Sequence, residues 1–137
     1  MRTRLRRALR GDRGAVSAEL VIATPLLLFM LLAIVQFALW SHATHIAQTA
    51  AAQGLAAARV QNATAAQGTA SAQHVLDQLG RGPLTNTRID THRSAEDVSI
   101  RVSGEASAVI PFLHLPVHAE AAGPLERFVP DLAVGGR

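Results

Sequence analysis

The sequence predicts an α+β chain: a single long N-terminal helix, with a transmembrane half and an exported alanine-rich half, followed by a small antiparallel β-sheet. Three observations carry this. Leu20 to Trp40 contain no charged residue. Ser41 to Leu79 are rich in alanine and free of proline. From Val98 the period changes, with Val98, Ile100 and Val102 alternating with Ser99, Arg101 and Ser103 as in a half-buried strand. At 137 residues the chain has room for at most one modest domain. Hydrophobic residues make up 49% but aromatics only 4%, and the alanine behind that difference favours helix over an aromatic-rich enzyme core.

Charge and composition exclude several classes. The six arginines of residues 1–13 face one acid, Asp12, for a side-chain net of +5. The other seven arginines face nine acids, for −2. The basicity is therefore a terminal tag and not a folded face, and no direct nucleic-acid binding is expected. There are no cysteines, hence no disulfide, thiol nucleophile or thiolate metal site. No glycine-rich phosphate loop, H-E-x-x-H or G-x-S-x-G appears. His42 and His45 stand three apart, but nothing at matched spacing completes a metal site. His114 and His118 have the same status. No enzyme activity, cofactor or metal is expected.

The apolar run comes first in the chain. The 21 residues Leu20 to Trp40 rise about 30 Å as a helix, the thickness of a bilayer's hydrocarbon core. Thr24 and Gln36 are the main polar interruptions, and Trp40 stands where an amphipathic ring favours the interface. The arginines place the N-terminus inside and everything after Trp40 outside, a single pass through the cytoplasmic membrane. A secretory signal has a shorter apolar region, about 7–15 residues. Small residues at Ser41-His42-Ala43 and Ala47 leave a cut beyond the span as an alternative. Pro25 is read as a helix kink, or alternatively as a local melt that fits the helix to a filament.

Glu19 stands at the mouth of this span. It either lies in the headgroup layer without a role or meets a positive charge at its own depth. Arg13, six residues earlier, is not on the same helical face. A cut after Gly14 would create an amine on Ala15 and make Glu19 the fifth residue of the mature chain. This combination of a short basic leader, Gly14-Ala15-Val16-Ser17-Ala18-Glu19, Pro25 and a leucine run resembles TadE-like pseudopilins of tight-adherence (Flp, type IVc) pili. The resemblance implies cleavage by prepilin peptidase after Gly14, with Ala15 as new terminus. It also implies that Glu19 sets register during assembly by pairing with a neighbour's amine. The implied partners are prepilin peptidase, the major Flp pilin, other minor pilins, the inner-membrane assembly platform and the lipid bilayer. The implied role is a minor pilin in a pilus used for adhesion, colonisation or DNA uptake. The alternative is an uncleaved bitopic interaction module of the cell envelope.

The expected organisation is a leader over 1–14, the span over 15–40, a helical stalk over 41–80, a strand-rich head over 81–123 and a loose tail over 124–137. In the stalk Gly54 and Gly68 each cost about 1 kcal/mol against alanine, and a break is allowed near Asn62–Gly68. Its small residues suit close packing among neighbouring helices in a bundle; the alternative is a stalk free in solvent. Gly80-Arg81-Gly82-Pro83 should stop the helix. Strands are expected over Asn86–Thr91, around Val98–Val102 and over Pro116–Ala122, the last with Val117, Ala119 and Ala121 on one face. The first two turn through His92–Asp97, where Ser94, Glu96 and Asp97 make a solvated turn, and Val109–Leu113 is a loop or edge element broken by Pro111.

Overall fold

Alanine and unbranched apolar residues keep the first half of the chain helical without interruption. In the computed structural model, which describes residues 12–126 and their side chains from Val16 onward, helix α1 runs Asp12–Arg59, 48 residues. At 1.5 Å per residue that is about 70 Å. The basic leader up to residue 11 and the tail beyond residue 126 lie outside the described residues. Helix α1 passes through Pro25. Proline has no N–H, so the carbonyl of Val21 loses its helical donor there, and the flanking turns carry the helix through.

The end of α1 is built from local chemistry. Asn62 adopts a left-handed conformation (φ 65°), which asparagine tolerates better than most residues, and the Ala63 N–H donates to the Val60 carbonyl at 3.0 Å. The last carbonyls of α1 are also satisfied from outside. The Arg93 guanidinium donates to the carbonyl of Ala58, and the Glu126 N–H to that of Arg59 at 3.0 Å. A cation at a helix C-terminus is favourable for the helix dipole. Thr64 then caps the next helix, α2 (Ala65–Val75). Its hydroxyl accepts from the Gln67 N–H at 3.2 Å, while the Gln67 side-chain oxygen accepts from the Thr64 N–H at 2.8 Å. This reciprocal capping box contributes about 1 kcal/mol. A π-helical turn, Leu76–Gly80, closes the segment, and the Gly80–Pro83 stop signal falls at its end.

Helix α2 returns antiparallel along the upper half of α1, and two glycines meet at the crossing. A Cβ on Gly54 would lie 2.9 Å from the Gly68 carbonyl oxygen and 2.7 Å from Ile100 Cδ1. A Cβ on Gly68 would lie 2.6 Å from Ala58 Cβ. The two glycines are therefore points of close backbone approach, not breaks. The alanine stripe of α1 (Ala43, Ala47, Ala50, Ala51, Ala58) is buried in the same way. The small residues are used within the chain: they pack against α2 and the sheet rather than waiting for helices of other subunits.

The sheet is a three-stranded antiparallel meander in the order β1 (Leu84–Arg93), β2 (Asp97–Ala106), β3 (Leu115–Pro124). Ten residues per strand span about 33 Å, close to the length of α1 above Trp40, so the sheet lies along that half. Val98, Ile100, Val102, Val117 and Ala119 are buried against the helices. Each expected strand is present and extends past its pattern by one to four residues at each end. At the start of β1 the register shifts between Thr85 and Arg88, with Asn86 left-handed (φ 52°). This bulge turns Leu84 inward although it is out of phase with Ile89. Gly104 sits opposite, where a Cβ would lie 2.9 Å from the Thr85 carbonyl oxygen. The β1–β2 turn is closed by Ser94, whose hydroxyl accepts from the N–H groups of Glu96 at 3.2 Å and Asp97 at 3.0 Å. On the outer face Arg101 bonds Glu120 at 2.9 Å, and this hydrogen bond, then the carboxylate's charge, holds the guanidinium pKa above its ordinary value.

The glycine crossing sets intrinsic propensity against packing. On propensity alone Gly68→Ala stabilises a helix by about 1 kcal/mol; overpacking costs about 1–3 kcal/mol. Because Ala58 Cβ and the Gly54 carbonyl bound the site, Gly68→Ala is expected to lower the thermal midpoint of the full chain in detergent micelles by several degrees. A rise in the midpoint would show that the helices do not meet there.

Candidate functional site

Helix α1 changes character at Trp40. Above it one face is buried by the chain itself; below it the helix is apolar around most of its surface and, among the described residues, only the β2–β3 loop touches it, at Gln36. Val16, Leu20, Val21, Ile22, the run Leu26 to Leu32, Ile34, Val35 and Phe37 are all exposed. The most apolar stretch has a mean hydropathy of 2.5 with only 6% of it buried, so it is not the core helix of the folded part. One helix is long and apolar enough to cross a membrane.

The residues singled out from the sequence lie at the foot of this half. Gly14 and Ala15 fall in the first turn of α1, and Glu19 is exposed one residue before the charge-free run. Glu19 and Ala15 are four apart, which places them on one helical face. Pro25 follows six residues above Glu19, within the same helix. All four thus belong to one continuous helical segment, well removed from the sheet.

At the other end of the apolar half the structure gives a joining role to two residues: Gln36, expected only as a polar interruption, and Trp40, expected as an interfacial ring. Gln36 is 2% exposed although its helical neighbours are bare. Its amide nitrogen donates to the Ser107 carbonyl at 3.2 Å, and its oxygen accepts from the N–H groups of Val109 at 2.8 Å and Ile110 at 3.4 Å. One turn above, Trp40 Nε1 donates to the Pro116 carbonyl at 3.2 Å, with its ring 5.9 Å from that of Phe37. Together they latch the β2–β3 loop and the start of β3 onto α1. The signal was available in principle: a lone amide in an apolar helix must find partners, and Gln36 shares a helical face with Trp40.

Elsewhere the chemistry is sparse. His42 and His45 are exposed on α1 above the latch, and among the described residues no group of three or more metal-ligating side chains gathers. The bulge in β1 opens a polar groove on the outer sheet face, where the Asn86 side-chain amide donates to Glu105 Oε2 at 3.3 Å; Arg88 and His118 complete its wall.

The latch predicts a local effect. Gln36→Leu removes the acceptor of two loop N–H groups, each bond contributing about 1 kcal/mol. Amide exchange at Val109 and Ile110 should then accelerate by about tenfold or more, while Ile100 in the core stays protected. Unchanged exchange at these two amides would show that the latch does not hold the loop.

Comparison with known proteins bears on the apolar helix and not on the sheet. No curated protein and no solved structure matches the chain. Residues 14–56, just under a third of the sequence, match the family described as TadE-like protein, so that α1, from Gly14 through most of its alanine-rich half, is similar to the family its leader, Glu19 and leucine run resemble.

Proposed function

We propose that this protein is a minor pilin, or pseudopilin, of a tight-adherence (Flp-type) pilus. The observation that carries this reading is the TadE-like match beginning at Gly14 and covering an apolar half-helix that the rest of the described residues leave largely bare. At the coarser level, similarity to TadE-like proteins suggests a pilus-associated, minor-pilin-like protein that works with other components of that machinery.

In this reading the arginine leader stays in the cytoplasm, the apolar half of α1 crosses the inner membrane once, and the sheet with its supporting helices lies outside. Prepilin peptidase cuts between Gly14 and Ala15. The new amine and the Glu19 carboxylate are then four residues apart on one helical face, so the amine is first neutralised within its own helix. On assembly Glu19 exchanges this partner for the amine of a neighbouring subunit and sets the axial register. Such a pair gains strength at low dielectric, where an unpaired carboxylate is costly. Lipid covers the apolar half before assembly, and helices of the major Flp pilin and other minor pilins cover it afterwards, with the inner-membrane platform driving the transfer. Pro25 marks the place where α1 can bend or locally melt, because Val21 has no helical donor there. The pilus serves adhesion, colonisation or DNA uptake.

Two measurements test this. The intact mass and N-terminal sequence of the membrane-extracted protein from its native host should correspond to a chain starting at Ala15, and Gly14→Val should restore the leader. A wild-type chain that keeps its arginines would leave an uncleaved bitopic module of the envelope. In the second, Glu19→Ala should insert and be processed normally yet fall at least tenfold in the sheared pilus fraction. Normal incorporation would remove Glu19 from the assembly step.

A further inference from the structure

We propose that the β2–β3 loop, residues 107–114, is a membrane foot whose apolar tip enters the outer boundary of the bilayer beside α1. The proposal rests on reading Leu20 to Trp40 as a membrane span. Its ligand is lipid: the acyl chains and glycerol region of the outer leaflet.

Depth is the first argument. Gln36 holds Ser107, Val109 and Ile110 by direct hydrogen bonds. Gln36 lies four residues, about 6 Å along the helix axis, inside Trp40, the residue suited to the interface. A loop fixed to Gln36 therefore sits at or below the level of the tryptophan.

The surface of the loop fits that depth. Ser107 to Leu113 carry no charge. Val109 is exposed, and Phe112, at 96%, is the most exposed large apolar side chain among the described residues. Phe112 is held left-handed (φ 65°), a conformation uncommon for a bulky residue, so the fold presents this ring outward. An apolar groove joins the loop to the span, lined by Phe29, Phe37 and Trp40 on one side and Ile110, Leu113 and Leu115 on the other. Phe29 lies well inside the span, so the medium that covers the helix is continuous with the medium that covers the loop.

Partial backbone satisfaction is the third argument, since irregular chain at membrane depth favours internal bonds and four of the seven N–H groups of residues 107–114 make them. The N–H groups of Val109 and Ile110 go to Gln36, that of Leu113 to the Ile110 carbonyl at 3.3 Å, and that of Ser107 to the Pro83 carbonyl at 3.0 Å. Pro111 has no N–H to satisfy. The same bonds cover the Gln36 amide, the polar group that a bare span would tolerate least. Two points of contact, the helix and the foot, fix the tilt of the sheet relative to the membrane.

The absence of cysteine allows single nitroxide labels on the full chain. Phe29→Cys, Phe112→Cys and Glu96→Cys place them in the span, on the foot and at the far end of the sheet. The labelled proteins are reconstituted in phosphatidylcholine–phosphatidylglycerol vesicles at low protein-to-lipid ratio. Power saturation then compares accessibility to oxygen, which partitions into lipid, with accessibility to a water-soluble nickel chelate. The labels at 29 and 112 should both favour oxygen, with 112 the shallower, and the label at 96 should favour the chelate. A label at 112 that favours the chelate while that at 29 favours oxygen would overturn the foot and leave the span intact. A label at 29 that favours the chelate would overturn both. A label at 112 shielded from both reagents, with spectra that broaden as protein is added, would assign the surface to a second copy and overturn the lipid proposal.

Discussion

The contact between Gly54 and Gly68, with the end of Ile100 set between them, is the constraint on which the folded part depends. No larger residue fits at either glycine without moving backbone or a neighbouring Cβ. Close approach lets Ala58 and Ala72 pack fully despite their small side chains, and it brings α2 near enough for Thr69 to bond Thr91 of β1 at 2.8 Å. Ile100, fully buried, then joins both helices to the central strand. A core with few large side chains gains burial through short interaxial distance, which only small residues permit.

One helix carries two kinds of surface, and this explains the order of the molecule. Above Trp40 the sheet and α2 consume one face of α1, leaving Gln48, Thr49 and Gln53 toward solvent. Below Trp40 no helix or strand of the described residues returns, so most of the apolar side chains stay uncovered. Such a surface is stable only in lipid or among other apolar helices. Gln36 and Trp40 form the joint between the two regimes. Their hydrogen bonds reach the β2–β3 loop and the start of β3, so the apolar half and the sheet are joined directly.

This division separates the proposed functions in space. The proposed processing and register steps belong to Gly14, Ala15 and Glu19, at the N-terminal end of the apolar half. In the proposed topology the surface toward the cell exterior belongs to the sheet, whose outer face is polar with Arg101 and Glu120 paired in solvent. The latch and the proposed foot lie between them, which in that topology is the outer boundary of the bilayer. In the proposed function a subunit that leaves the membrane for a filament would exchange lipid for protein along its apolar length, and the foot would exchange its surroundings in the same step.

The α+β class, the apolar length and the strand periods are all legible in the sequence, because each depends on neighbours along the chain. Charge-free length, alternation of Val98, Ile100 and Val102, and the stop at Gly80–Pro83 need no partner to be read. The helix break was legible in part: Thr64 and Gln67 carry a capping box that turns the allowed break at Asn62–Gly68 into a fixed one at Val60–Thr64. Tertiary structure alone decided the rest. Propensity ranks Gly54 and Gly68 as weak points, and packing makes them the crossing, because what matters is the atom across the interface. Likewise Gln36 reads as an interruption of the span until a loop 71 residues away supplies its partners, since a hydrogen bond between distant segments leaves no local period to detect.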